Sequence, residues 1–221
     1  MSEPATLIGT LPMMQRLALS YAPAAARLPT LALLALDRRL AGIVRHSHEP
    51  MLAQLRLSWW REQLAGDAAA WPEGEPLLTA LRSWRGAHGG LSPLVDGWEI
   101  LTGPAPLPEA TLEEFGQARG EAFAALAGVL GAARHGAAAH HLGRGWALAD
   151  LAAHVSHPVE RATAQELAAR GKVAGLRLPR RLRPLAVLHG LAQRRLRHGE
   201  TGDALSPGAL VLALRLGLLG R

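Results

Sequence analysis

The chain has 221 residues, a formal net charge of +6 and a hydrophobic fraction of 49%, but only 4% of its residues are aromatic. Leucine and alanine must therefore fill the interior, and because both favour helices the composition predicts an all-α fold. Cysteine is absent, which excludes disulfides and thiolate metal sites, and no basic cluster lies near the first residues. We therefore expect no signal peptide and a cytoplasmic location, with membrane association as an option.

The first half of the chain predicts an extension and then two long helices. Residues 1–27 are an N-terminal extension with a short helix before Tyr21, and Pro23 and Pro29 interrupt the segment after that helix. Residues 31–64 predict two consecutive helices, with Ser47 as N-cap of the second and Pro50 in its first turn. The first has an apolar stripe made by Leu36, Leu40, Ile43 and Val44. The second has a stripe made by Ala53, Leu57, Trp60 and Leu64, and Leu52, Leu55 and Trp59 widen it so far that we expect protein nearly all around this helix.

The second half predicts further helices separated by proline and glycine. One starts at residue 77 and ends at Gly89-Gly90, and the next starts at Ser92-Pro93. A capping box at residues 111–114 opens a helix through about residue 131. Three more are predicted over 137–155, 159–170 and 185–197, and the segment 199–221 holds a C-terminal helix that begins at Ser206-Pro207. Its apolar stretch, 204–214, is shorter than the about 20 residues of a membrane span.

Three short segments resemble a known family. Leu28-Pro29 is followed by Ala35-Leu36-Asp37-Arg38-Arg39-Leu40 and then by Arg56-Leu-Ser-Trp59-Trp60-Arg61. This order is similar to the start of squalene/phytoene synthase family proteins, in particular the branch that includes a mitochondrial complex I assembly factor. The resemblance implies one isoprenoid-synthase-like helical bundle over residues 1–221, shortened, with about eight helices, no sheet and a central cavity.

The resemblance also implies where metal-binding aspartates should stand. In the family's enzymes two aspartate-rich motifs hold Mg²⁺ against the diphosphate of a prenyl substrate. The first motif falls here on Ala41, Gly42 and Arg45, and the second on His154 and Pro158. None of these side chains offers the carboxylate oxygens that Mg²⁺ prefers. We therefore expect a protein without cofactor and without prenyl-transfer activity, which binds a lipid or prenyl ligand or a protein partner, with a role in respiratory-complex assembly as one possibility.

Two other functions stay open. The first is an active head-to-head prenyltransferase that uses Mg²⁺, in which Asp37 and Asp150 face one cavity with their carboxyls within about 12 Å of each other. The second is binding of a membrane surface or nucleic acid by an arginine-rich loop over residues 177–183. Nucleic acid is the less expected partner because no aromatic residues are interleaved with these arginines.

The candidate ligand-binding residues are Asp37, Arg56, Trp60, Arg61, Asp150 and His154. Arg56 and Arg61 either reach a phosphate in the cavity or lie outside, in ion pairs with Glu62 or Asp37. Trp60 is interpreted as core packing in preference to a stacking platform. Asp150, His154 and His157 share a helical face and could ligate a transition metal, but ten histidines in one chain produce such sets by chance.

Overall fold

A computed structural model describes residues 3–46, 49–170, 178–199 and 205–220, and this part of the chain forms eleven α-helices and no strand. The helices are α1 (Glu3–Thr10), α2 (Met13–Ser20), α3 (Ala24–His46), α4 (Pro50–Ala65), α5 (Pro76–Leu81), α6 (Ser92–Glu99), α7 (Glu109–Val129), α8 (Gly136–His154), α9 (Pro158–Arg170), α10 (Arg183–His198) and α11 (Pro207–Leu214). A π-helical turn, Arg215–Leu219, extends α11. The all-α prediction is confirmed, and the count of about eight was too low because the extension and the region before α6 break into short pieces.

The longest helix, α3, starts earlier than predicted. It begins at Ala24 and includes Pro29, so this proline does not interrupt it. Proline removes a single backbone donor, and the apolar run after it is buried along its whole length. Leu36, Leu40 and Ile43 are buried as predicted. Burial of so long an apolar segment outweighs the local cost of the proline.

Helix α4 is covered on one side only. Its stripe of Ala53, Leu57, Trp60 and Leu64 is buried, as predicted. The expectation that protein surrounds the helix is wrong, because Leu52 and Trp59 are exposed and Leu55 is 67% exposed. Helix α4 packs against α3, α6 and the turn before α6, and all of these lie on its buried side. It begins at Pro50 with Glu49 as N-cap, and the proposed cap Ser47 lies outside the described residues.

The two helices at the centre of the bundle, α7 and α8, approach closely through glycine. A Cβ on Gly120 would lie 2.8 Å from the carbonyl oxygen of His140, and one on Gly143 would lie 3.2 Å from the Cα of Gly120. Helix α7 starts at Glu109 with Pro108 as N-cap, so the capping box predicted at 111–114 is wrong. Within the described ranges, no helix is long and apolar enough to cross a membrane.

Candidate functional site

A buried arginine joins the three central helices of the bundle. Arg119, in the middle of α7, is 2% exposed. Its Nη2 donates to Oδ2 of Asp37 on α3, and its Nη1 donates to Oδ2 of Asp150 on α8 at 3.1 Å. Two carboxylates from different helices therefore share one guanidinium, as a charge-assisted and largely desolvated cluster.

Aromatic rings enclose the same guanidinium. Its Cζ lies 4.0 Å from the centroid of the Trp146 ring, 5.2 Å from that of Phe115 and 5.5 Å from that of Trp98. The indole Nε1 of Trp98 also donates to Oδ1 of Asp37 at 2.9 Å. The rings supply cation–π attraction and exclude water from the guanidinium. Both carboxylate oxygens of Asp37 accept hydrogen bonds from protein donors, one from Arg119 and one from Trp98.

Burial and the mutual charges of the cluster shift the pKa values of its three titratable groups in different directions. Burial raises the pKa of the Asp37 carboxyl, and the charge and hydrogen bonds of Arg119 and Trp98 oppose that rise without cancelling it. Burial acts in the same direction at Asp150, but the charges of Arg119, His154 and Arg45 and the hydrogen bond from Arg119 together outweigh it, so the pKa of Asp150 lies below its ordinary value. Burial alone would lower the pKa of Arg119, yet the two carboxylates raise it, so the guanidinium stays protonated.

The interior beside this cluster is filled. Leu33 and Leu34 of α3, Leu94 of α6, and Phe123 and Trp146 close around it, and the space between them does not admit a water molecule. The central cavity that the fold prediction included is absent at this point. A prenyl chain therefore has no room between α3, α7 and α8 beside Arg119.

An open basic cleft lies next to the filled interior. It has a volume of about 690 Å³ and is lined by residues of α2, α3, α8, α9 and α10. Its positive side chains are Arg38, Arg45, Arg161 and Arg195. Among the described lining residues the single carboxylate is Asp150, which Arg119 already neutralises. We name this space the arginine cleft.

A smaller cleft of about 460 Å³ lies on the other side of Arg38. Gly42 and Arg56 line it, together with Arg39 and His46. Arg39 is already paired with Glu75 across 3.2 Å. This second cleft is therefore less positive than the number of its arginines suggests.

The five residues at the degenerate motif positions lie in different surroundings in the structure. Ala41 is buried in the core, Gly42 faces the smaller cleft, and Arg45 and His154 line the arginine cleft. Pro158 is the first residue of α9. The two motifs thus still border one region, but the side chains they contribute are basic instead of acidic.

The remaining candidates divide between core and surface. Trp60 is buried, in edge-to-face contact with Trp59 at a centroid distance of 4.9 Å. Arg61 lies on the outside, where it pairs with Asp96 and Glu99. The partners suggested for it, Glu62 and Asp37, are wrong because α6 brings its own carboxylates alongside α4. Arg56 is exposed and does not reach the interior.

Two further hypotheses lose support from the geometry. The Nδ1 of His154 lies 2.7 Å from the carbonyl oxygen of Asp150, and in the described part of the chain no three histidines or carboxylates are grouped to hold a metal ion. In the arginine-rich loop, Arg177 lies outside the described residues. Arg181 donates to the carbonyl of Leu130, and Arg183 donates to that of Leu218 at 2.7 Å. Both side chains therefore have a backbone hydrogen-bond partner within the molecule, although a carbonyl does not neutralise their charge.

The sequence carried a signal for Arg119 that its interpretation missed. Arg119 lies four residues after Phe115 and three before Ala122, at helical spacing from two apolar residues that are buried on α7. A charged residue on an apolar stripe is buried only when partners satisfy it, so it points to an internal ion pair. Asp37 and Asp150 were identified, but the residue that links them was not.

Comparison with known proteins agrees with the resemblance seen in the sequence. The family model for squalene/phytoene synthase matches residues 16–103, a range that includes α3, α4 and α6. No curated protein and no solved structure matches the chain. The match to the squalene/phytoene synthase family is therefore confined to residues 16–103.

Proposed function

We propose that this chain is a squalene/phytoene synthase-like protein without prenyl-transfer activity, and that it acts by binding a ligand. One observation carries the proposal: Arg119 lies between Asp37 and Asp150 and binds a carboxylate oxygen of each. The cation that these carboxylates hold is a side chain of the protein itself.

The residues present do not fit Mg²⁺. Ionising an allylic diphosphate needs metal ions held by several carboxylates to compensate its negative charge. Both oxygens of Asp37 are occupied by Arg119 and Trp98, and no third carboxylate joins the pair in the described residues. Arg45 and His154, at motif positions, bring basic groups to the place where a metal ion would have to bind.

The competing hypothesis of a rearranged active site meets its distance condition. Asp37 and Asp150 contact one guanidinium, so their carboxyls lie well within the about 12 Å required. Their closeness nevertheless supports an internal ion cluster, because the group between them is the permanently charged guanidinium of Arg119, which cannot bind a substrate phosphate as a metal ion would.

The test is a product assay. Purified protein is incubated with farnesyl or geranylgeranyl diphosphate and Mg²⁺, with an active synthase of the family as positive control. We expect no head-to-head product and no change of Tm on addition of Mg²⁺. A product that disappears in the double variant Asp37→Asn, Asp150→Asn would establish the rearranged site and overturn the proposal.

A protein partner is a second candidate, which one observation favours. Met51, Leu52, Leu55 and Trp59 form an exposed apolar surface along α4. Large exposed apolar groups often mark contact surfaces. If this surface serves respiratory-complex assembly, Leu55→Glu should abolish co-purification of a complex subunit while the helical circular dichroism stays unchanged. Unaltered co-purification would exclude this surface.

A further inference from the structure

The arginine cleft contains a concentration of positive side chains that no carboxylate of the described residues neutralises. Arg38 and Arg45 lie seven residues apart on one face of α3, and Arg195 comes from α10. None of these three forms a hydrogen bond or ion pair with another described residue. The fourth, Arg161 of α9, donates to the backbone carbonyl of Val155 and keeps its charge. Four cations from three helices therefore converge on one open space.

The charge in the cleft is not compensated by its other residues. Its remaining titratable side chains are Asp150 and His154, and the Asp150 carboxylate is bound by Arg119. Burial lowers the pKa of Arg45, and the positive charges of Arg38 and Arg119 lower it further. The carboxylate of Asp150 opposes this decrease only in part. Holding like charges this close costs free energy, which an anion between them would recover.

A second, independent feature points to a bound group. Gln15 of α2 lines the cleft and is only 7% exposed, and its Oε1 is buried without a hydrogen-bond partner in the described structure. A buried polar atom without a partner is costly, which favours a ligand or water that bonds to it. Rotation of the amide by 180° would present its Nε2 donors to an anion instead.

We propose that the arginine cleft binds a phosphate or diphosphate group directly through Arg38, Arg45, Arg161 and Arg195, without a metal ion. Arginine forks match phosphate oxygens in two-point contacts and remain charged at any physiological pH. A volume of about 690 Å³ is within the usual range of small-molecule sites. Because the interior beside Arg119 is filled, the protein would recognise the phosphate group of its ligand, and any apolar tail of that ligand would lie outside the bundle core.

This inference rests on the proposed function in one respect, that the site binds its ligand and does not transform it. The probe is inorganic pyrophosphate, titrated calorimetrically into the full-length protein in EDTA. We expect binding in EDTA, and weakening by about tenfold or more in Arg45→Gln and in Arg195→Gln, because each removes a charge-assisted contact. Arg56→Gln is the matched control, because this substitution removes the same charge from a residue that lines the smaller cleft instead of the arginine cleft.

Three outcomes overturn the inference: no binding of pyrophosphate in EDTA, binding that requires Mg²⁺, or equal weakening by Arg56→Gln. The variants replace side chains at the surface of the cleft, and helical circular dichroism checks that they fold. If pyrophosphate does not bind and the prenyl assay also gives no product, this inference falls while the proposed function stands.

Vesicles identify the source of the phosphate. Vesicles of phosphatidylcholine with phosphatidic acid are compared with vesicles of phosphatidylcholine alone. Binding to the first that pyrophosphate inhibits and Arg45→Gln removes supports a lipid headgroup as the ligand. Pyrophosphate binding without vesicle binding supports a free phosphorylated compound.

Discussion

Arg119 takes the place between Asp37 and Asp150 that a cation must fill if two carboxylates are to be buried together. An unpaired buried carboxylate costs several kcal/mol, and the arginine removes that cost by both charge and hydrogen bonds. Trp98 and Trp146 keep the cluster dry. The site is consequently rigid and internally neutralised on its buried side, while positive charge remains on the side of the arginine cleft.

Replacing Arg119 should destabilise the protein severely. In Arg119→Met the Asp37 carboxylate stays buried without a counterion, and we expect the free energy of unfolding to fall by about 3–5 kcal/mol. The double variant Asp37→Leu, Arg119→Met should recover most of this loss, because Asp150, 22% exposed at its side chain, can turn to water. Urea unfolding followed by circular dichroism measures both.

The control for this prediction is a surface pair. Arg39 and Glu75 form an exposed ion pair, and Arg39→Met should cost no more than about 1 kcal/mol. If Arg119→Met cost no more than Arg39→Met, the central cluster would not be the ion pair that its geometry indicates.

At the level of secondary-structure elements, the sequence predicted what periodicity determines and missed what tertiary packing determines. The inward stripes of α3 and α4 follow from spacing alone and are confirmed. The start of α7 at Glu109 and the passage of α3 through Pro29 depend on packing that overrides local signals. The exposure of Leu55 could not be predicted either, since an apolar residue at the edge of a stripe is buried only if a neighbouring element covers it.

The contact between α7 and α8 provides a prediction for a single methyl group. Gly120→Ala should lower the free energy of unfolding by about 1–3 kcal/mol, because its Cβ would meet the backbone carbonyl of His140, which cannot move independently of α8. Gly128→Ala, on the same helix with open space around it, should be neutral or stabilising by up to about 1 kcal/mol. Urea midpoints at an unchanged m-value distinguish the two; equal midpoints would show that the helices can separate at little cost.

For the molecule as a whole, composition was sufficient to predict an all-helical fold, and three short segments were sufficient to indicate the family. The family match ends at residue 103, whereas Arg119 and Asp150 lie beyond it. The site therefore combines Asp37, from the matched part of the chain, with Arg119 and Asp150 from the part after residue 103. In that second part the resemblance to the family depends on the degenerate motif positions His154 and Pro158. Long-range pairing of this kind is set by how α3, α7 and α8 pack, which periodicity along one chain does not specify.

The pH dependence of overall stability should reflect a half-buried histidine of α10 that packs against α8. The Nδ1–H of His189 donates to the carbonyl of Leu142 at 3.2 Å. Burial, opposed by this hydrogen bond and assisted by His141, lowers the pKa of His189 from 6.5 to about 4. Between these two values the unfolded chain binds a proton at His189 that the folded protein does not, so stability falls as the pH falls from 6.5 towards 4.

At pH 5 this difference amounts to about 2 kcal/mol relative to pH 7. The variant His189→Gln should lose that part of the acid destabilisation, so that its unfolding free energy changes less between pH 7 and pH 5 than that of the wild type. His198→Gln, an exposed position near the end of the same helix, is the control and should retain the wild-type dependence. Urea unfolding at both pH values measures the three proteins, and parallel losses in all of them would place the acid-sensitive group elsewhere.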